Sequence, residues 1–298
     1  MKYRKKRLLL LKKKHIVIIC VLLFAILATF VIVKLTEASR ERAAEQQAVQ
    51  AQLDAGLLRV GLRGDMKQLC AYNTETGQYE GLEKDIADEL IAHVFEDKLL
   101  VQYVEVNSRT KDALLKIDEI DMALGASLDT GKSGIRYTVP YFADACAFLV
   151  MEGGITSELG LSGGVIAVVQ NSMPALDSSE TEDATNLDDY LAAQGITATV
   201  KVYASYPEAV QALSDGFVQG VCASENDLKI FGRSGMLLLA ERFMPCRYCV
   251  QFAQSDEALR TVFSKAIAQM QEDGTLAALV GKWGLTDYSA LPDVNEGT

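Results

Sequence analysis

Hydrophobic and polar positions change their spacing several times along this chain, and each change marks an element. The run IVIICVLLFAILATFVIV at 16–33 holds no charge, Gly or Pro. As a helix it would span about 27 Å, the thickness of a bilayer core. The next stretch, TEASRERAAEQQAVQAQLDA at 36–55, is rich in Ala, Gln and Glu and offers little apolar surface. That predicts a helical stalk ending near Gly56, with a flexible coil as the alternative. Past it, Leu58, Val60 and Leu62 alternate as a half-buried strand does. Helical spacing follows at 82–95, a strand at 101–106, a helix at 109–117 and a short buried strand at 121–126. Apolar residues at 145–151 lead to Gly153-Gly154, a natural boundary. The alternation then repeats, with strands at 165–169, 198–203, 217–223 and 236–240 and helices at 187–193 and 207–213. A strand at 248–253 heads back, and helices at 255–272 and 276–283 close the pattern. Alternating strands and helices predict an α/β architecture with mainly parallel pairing.

Charge sharpens this picture because it is unevenly placed. The first 34 residues hold nine of the 29 Lys and Arg and none of the 40 Asp and Glu, leaving 20 basic residues against 40 acidic ones in the rest. So acidic a body excludes nucleic-acid binding through clustered Lys and Arg. The basic cluster before an uncharged run predicts a cytoplasmic N-terminus, one pass through the cell membrane and an extracytoplasmic body. A cleaved signal peptide is the competing reading, with Thr36-Glu37-Ala38 as the cleavage site before Ser39, although 18 residues exceed the usual length of its apolar region. A lipid-modified Cys20 is disfavoured because Ile19, not a small residue, precedes it. The long loop at 171–186 is acidic and rich in Ser and Thr, the pattern of a mobile surface loop.

Side-chain chemistry limits what the body can do. Its two-lobe length allows two separate cores. His15 and His93 are the only histidines, so Ser–His or Cys–His catalysis has almost no candidates and no catalytic residues are assigned. Cys246-Arg-Tyr-Cys249 has CxxC spacing but no second pair and no nearby His, so neither zinc nor any other metal or cofactor is expected. Five cysteines in the exported part leave at least one without an intramolecular partner. Cys146 and Cys249 are one candidate pair among them.

Ser127, Thr130 and Ser172 fall just past expected strand ends, where loops of open α/β sheets contact ligands. The same residue types also cap helices, and Ser172 before Met173-Pro174 suits that role.

Four motifs occur in order: LRVGLRGD at 58–65, GLEKDIADEL at 81–90, IDMALGAS at 120–127 and YTVPYF at 137–142. With LGLSGGVIAVV at 159–169, DGFVQGVCAS at 215–224 and DGTLAALVGKWG at 273–284, they make 58–285 resemble the amino-acid-type extracytoplasmic solute-binding proteins, family 3, that serve ABC importers. Asp85 resembles the acidic position of that family's first-lobe helix. The resemblance implies a type 2 periplasmic-binding-protein clamp, two α/β lobes joined by crossing strands at 145–151 and 248–253, preceded here by one transmembrane helix. The chain then divides into a basic N-terminus at 1–15, an anchor at 16–34, a stalk at 35–56, a first lobe at 57–150 plus 246–298, and a second lobe at 151–245.

The family's ligand contacts are only partly matched. The loop at 128–133 has no Arg where the family forks the ligand carboxylate, and Lys132 is the charge available there. The covering aromatic falls near Cys70, with Tyr72 the nearest ring. The Asp that holds an α-amino group falls at Ser224, with Glu225 beside it, while Asp65 keeps the acidic position after the first strand. The implied ligand-binding set is therefore Asp65, Tyr72, Ser127, Thr130, Lys132, Ser172, Ser224 and Glu225. Lys132 and Glu225 are equally of the type that stays solvated.

The resemblance implies capture of a small polar solute, an amino acid or a derivative, in a cleft between the lobes, and delivery to an ABC permease. One alternative is a sensory accessory module whose effector, with only 14 residues after Gly284, is expected on a separate chain. The other is a lyase or dehydratase using Glu225 or Asp65 as general acid.

Overall fold

The computed structural model describes residues 2–291 apart from 97, 108, 171 and 177–186, with side chains from residue 26 onward. The chain divides into two units, residues 1–51 and 52–298. The described residues of the first are helical, part of a helix α1 (Lys2–Ala55) that carries the Ala- and Gln-rich stretch expected to be helical. Among the described residues no helix is long and apolar enough to cross a membrane. Most of the uncharged run at 16–33 lies outside the residues whose side chains are described. The acidic loop at 171–186 likewise falls outside them, apart from 172–176.

In the second unit, β1 (Leu57–Leu62) pairs in parallel with β5 (Leu100–Glu105) and β6 (Met122–Ala123). β14 (Gln251–Ala253) joins antiparallel between β6 and β7 (Ile135–Tyr137), giving the order β5-β1-β6-β14-β7. Leu58, Val60 and Leu62 are fully buried, as their alternation requires. Between β1 and the helix α2 (Leu82–Phe95) lies a small antiparallel sheet that the apolar spacing did not reveal, made of β2 (Asp65–Met66), β3 (Cys70–Asn73) and β4 (Gln78–Glu80). Short strands flanked by polar residues carry too little apolar signal to be read.

Gly81 joins that hairpin to α2 at φ 135°, and a Cβ there would lie 2.6 Å from the Leu69 carbonyl oxygen. Only glycine fits both the angle and the space. α2 buries Leu82, Ile86 and Leu90. It also meets the closing helices, where Asp85 accepts hydrogen bonds from Lys282 Nζ at 2.8 Å and Trp283 Nε1 at 2.6 Å. Those helices are α7 (Glu257–Glu272) and α8 (Thr275–Lys282).

The second sheet has the order β10-β9-β11-β8-β12, with a further strand β13 also on β8. β9 (Val165–Val169), β10 (Thr199–Tyr203) and β11 (Gly220–Ser224) are parallel. β8 (Phe142–Met151) runs antiparallel to β11, to β12 (Met236–Leu238) and to β13 (Phe243–Tyr248). The remaining described α-helices are α3 (Lys111–Lys116), α4 (Leu187–Ala193), α5 (Tyr206–Ser214) and α6 (Glu225–Phe231). The second core packs Ala167, Val210, Leu213, Val221 and Leu228. The first has Val106, Leu115 and Ile120 behind its sheet.

Both lobes are therefore mixed rather than mainly parallel, because the chain enters and leaves the second sheet through long antiparallel strands. β8 and β13 lie wholly in that sheet. The chain passes between the sheets at 138–141, before the stretch at 145–151 expected to cross, and again at 249–250, within the expected 248–253. The two passages are tied together. Thr138 N–H donates to the Val250 carbonyl at 3.0 Å, and Val250 N–H donates back to Thr138 Oγ1 at 3.0 Å. Tyr141 N–H adds a bond to the Tyr248 carbonyl at 2.9 Å.

Candidate functional site

Strands β1, β6, β9 and β11 end toward a common cavity of about 610 Å³ whose walls come from both sheets. This is the position at which open α/β sheets hold ligands, outside the carboxyl ends of their strands. The volume falls within the range of small-molecule sites. Arg63 follows β1, and its guanidinium forks Asp65 through two hydrogen bonds of 3.0 Å. Gly125 and Ala126 follow β6, and Ala126 adopts φ 50°, an uncommon angle for a residue with a Cβ. Its N–H is fixed by Glu83 Oε1 at 2.6 Å, and the same oxygen accepts from Tyr141 OH at 2.5 Å. One carboxylate on α2 thus ties the cavity loop to a passage between the sheets. Glu83 is fully buried, and burial raises its pKa against the opposing hydrogen bonds from Ala126 and Tyr141.

α3 brings Lys111 and Asp112 to the cavity. Lys111 is buried, with its Nζ 2.6 Å from Ser127 Oγ and 3.4 Å from the Gly125 carbonyl. Burial pushes its pKa down to about 8, outweighing the attraction of Asp112 and Glu83, with Arg63 and Lys132 adding to the fall. Asp112 accepts from Lys132 Nζ at 2.8 Å and from Gln251 Nε2 at 3.2 Å. On the opposite wall, Asp227 in α6 accepts from Tyr206 OH at 2.8 Å and Ser224 Oγ at 2.9 Å. Burial raises its pKa, the Tyr206 and Ser224 hydroxyls acting against it.

The eight residues singled out by sequence divide into three groups. Thr130, Lys132, Ser172 and Ser224 line the cavity. Thr130 Oγ1 lies 3.2 Å from Tyr137 OH, and Ser172 Oγ donates to the Val169 carbonyl at 2.5 Å. Asp65 and Ser127 stand behind the lining, one holding Arg63 and the other Lys111.

Tyr72 and Glu225 are elsewhere. Tyr72 sits on the hairpin, 44% exposed, with its ring 5.0 Å from that of Tyr79 in a separate groove. Glu225 is held by Lys229 at 2.6 Å, Arg242 at 3.0 Å and Tyr288 OH at 2.5 Å. Burial pushes its pKa up, but those three partners outweigh it and hold the carboxyl at about 2. A carboxyl kept ionised in this way is the wrong form for a general acid.

Arg63, Arg109, Lys111, Asp112 and Asp227 are the charged lining residues that sequence reasoning missed. Arg63 and Asp227 lay within two residues of positions singled out, and Lys111 opens a helix that was anticipated. The signal that could have found them is their place at the first turn or residue beyond a strand end.

The cysteine pairing also changes. The described cysteines Cys70, Cys146, Cys222, Cys246 and Cys249 are free and buried. Cys146 Sγ lies 3.7 Å from Cys246 Sγ, not against Cys249, because β8 and β13 are the strands that pair.

Two mixed α/β lobes, two passages between them and a polar cavity at their strand ends define the fold of a type 2 periplasmic binding protein. Residues 58–286 match the bacterial extracellular solute-binding proteins, family 3, and the chain belongs to that family. It is a binding protein, not an enzyme. The ABC transporter glutamine-binding protein of Bacillus subtilis is 22% identical over 281 residues, 88% of this chain and 96% of the relative. A glutamine-binding protein of Geobacillus stearothermophilus is 27% identical over 199 residues, 65% and 70% of the two chains. An ancestral arginine-binding protein bound to arginine shares the fold with a TM-score of 0.56 at 21% identity, covering 76% of this chain and 98% of its own.

Proposed function

We propose that this protein captures an amino acid between its lobes and hands it to an ABC importer in the same membrane. The observation that carries the reading is a cavity built from both sheets, with opposed polar groups on its two walls, Lys111 and Asp112 facing Asp227 and Ser224. A free α-amino acid needs such a pair of walls, one for its carboxylate and one for its ammonium. Asp227 takes the ammonium in place of Glu225, whose charge is already spent on Arg242 and Lys229. Thr130, Ser172 and Ser224 supply neutral hydrogen bonds. Closing the lobes about 138–141 and 249–250 would remove the ligand from water and present a single closed surface to the permease.

The uncharged run at 16–33 serves as a retained anchor, with residues 1–15 in the cytoplasm and 35–56 as a helical spacer holding the body outside. Membrane fractionation followed by protease treatment of intact cells tests this: the body should sediment with membranes and be digested from outside. Release of a shortened chain beginning near Ser39 would favour cleavage.

A thermal-shift screen of the full chain against amino acids, peptides, polyamines and sugars tests the ligand class. A binder at a thousand-fold excess over Kd stabilises the folded state by about 4 kcal/mol. A shift confined to sugars or polyamines would sink the amino-acid reading.

A further inference from the structure

The charged groups of the cavity do not balance. Its lining includes the cations Arg63, Arg109, Lys111 and Lys132 against the anions Asp112 and Asp227, in a body with twice as many acidic as basic residues. Lys132 is paired with Asp112, and Arg63 with Asp65 just behind the lining. Lys111 has only neutral acceptors within hydrogen-bond reach, the Ser127 hydroxyl and the Gly125 carbonyl. It is nonetheless buried, which is costly for an ammonium with no carboxylate hydrogen-bonded to it. Arg109 forms no ion pair among the described residues and stands exposed at the same wall. Across the cavity, Asp227 is held by hydroxyls alone and has no cation bonded to it.

A neutral amino acid would satisfy Asp227 through its ammonium and one of the uncompensated cations through its carboxylate. One positive centre would be left over. A cationic amino acid would add a second positive group to a wall that already has an excess. We propose that the ligand carries a second acid group, so that this is a site for an acidic amino acid, with Lys111 and Arg109 as the residues that select it. The assignment rests on the amino-acid-binding reading above and names the charge class of that same site. Electrostatic complementarity acts here mainly through discrimination, since a like-charged side chain against Lys111 and Arg109 is penalised more than a matched one is rewarded.

The test is isothermal titration calorimetry of the full chain, purified in detergent, with each of the 20 common L-amino acids at pH 7 and fixed salt. Glutamate or aspartate should bind at least about ten-fold more tightly than glutamine or arginine. Arg109→Gln should weaken the acidic ligand about ten-fold while changing glutamine by less than about three-fold, and Lys111→Met, which also takes a cation from the α-carboxylate, should weaken both but the acidic ligand about ten-fold more. Arg109 is exposed, so that variant keeps the test valid if Lys111→Met fails to fold. A neutral or basic amino acid binding as tightly as either acid overturns the charge assignment and leaves the amino-acid reading standing. Equal loss for glutamate and glutamine in both variants overturns the selecting role of the two residues. Heat from none of the 20 overturns the amino-acid reading itself, and the charge assignment with it.

Discussion

Lys111 Nζ and Ser127 Oγ lie 2.6 Å apart inside the protein, an ammonium resting on a hydroxyl rather than on a carboxylate. Because burial brings the Lys111 pKa down to about 8, folding in the absence of ligand carries the cost of a buried charge below that pH. The unfolded chain keeps its lysine protonated to about pH 10.4, so between about pH 8 and that value it binds the extra proton and the Lys111 contribution to stability rises with pH. The groups setting this balance are Asp112, Glu83, Arg63 and Lys132. Denaturant midpoints measured from pH 7 to 10 should therefore climb in the wild type relative to Lys111→Met. Parallel curves for the two would show that the folded lysine keeps its proton across this range, as a paired or solvated ammonium does.

Glu83 gives a contrasting case, a carboxyl whose raised pKa and unpartnered Oε2 suit the protonated form. Glu83→Gln retains an oxygen for Ala126 N–H and Tyr141 OH, so it should change stability by less than about 1 kcal/mol. Glu83→Ala strands both donors and should cost about 2–4 kcal/mol. Urea titration separates the two. A Gln variant as damaged as the Ala variant would mean that the ionised carboxylate, not its hydrogen bonding, holds the loop.

Glu225 is the ionised counterpart, closing α6 onto Arg242 and onto Tyr288 near the end of the described chain. Glu225→Gln should cost about 1–3 kcal/mol, between the values for exposed and fully buried pairs, while leaving ligand affinity unchanged because the residue is off the cavity. With its pKa held at about 2, its contribution is present above the usual carboxylate range and is lost as pH falls from about 4.3 toward 2. Acid titration of wild type and variant should converge at the low end of that window. An affinity loss in Glu225→Gln would return this residue to the ligand.

The thiols make a separate prediction. Burial, with the neighbouring Cys222, raises the Cys146 pKa, and its hydrogen bond with Cys146 together with burial raises that of Cys246. Alkylation of the native protein should therefore be slow at both, and should become fast only on unfolding. If an oxidant crosslinks this region, mass mapping should find Cys146 joined to Cys246. A Cys146–Cys249 crosslink would require a different pairing of β8 with the passage at 249–250.

Much of the architecture was legible because it follows from spacing. Leu58, Val60 and Leu62 had to share a buried face, and Leu82, Ile86 and Leu90 had to share a helix face, whatever lay around them. The short strands β2, β4 and β7 were not legible, since their pairing comes from neighbours distant in sequence rather than from their own residues. The first passage between the sheets was read a few residues late for a related reason, while the second fell within the stretch expected to cross. An apolar strand looks the same in the centre of one sheet as in a link between two.

The ligand wall shows the division most clearly. Sequence determined that a two-lobed α/β body would follow a basic, uncharged and then helix-forming N-terminal stretch, because those properties are written in local period and charge. It also brought attention to Ser127, Thr130, Lys132, Ser172 and Ser224, which lie on or directly behind the cavity. Only the tertiary structure decided between Glu225 and Asp227. Two residues on a helix differ by about 200° in direction, so one carboxylate meets Arg242 while the other meets the cavity. The same holds for Lys111, whose burial depends on which side of α3 packs against β6 and β14. Local sequence sets which element a charge occupies, and the packing of whole sheets sets what that charge faces.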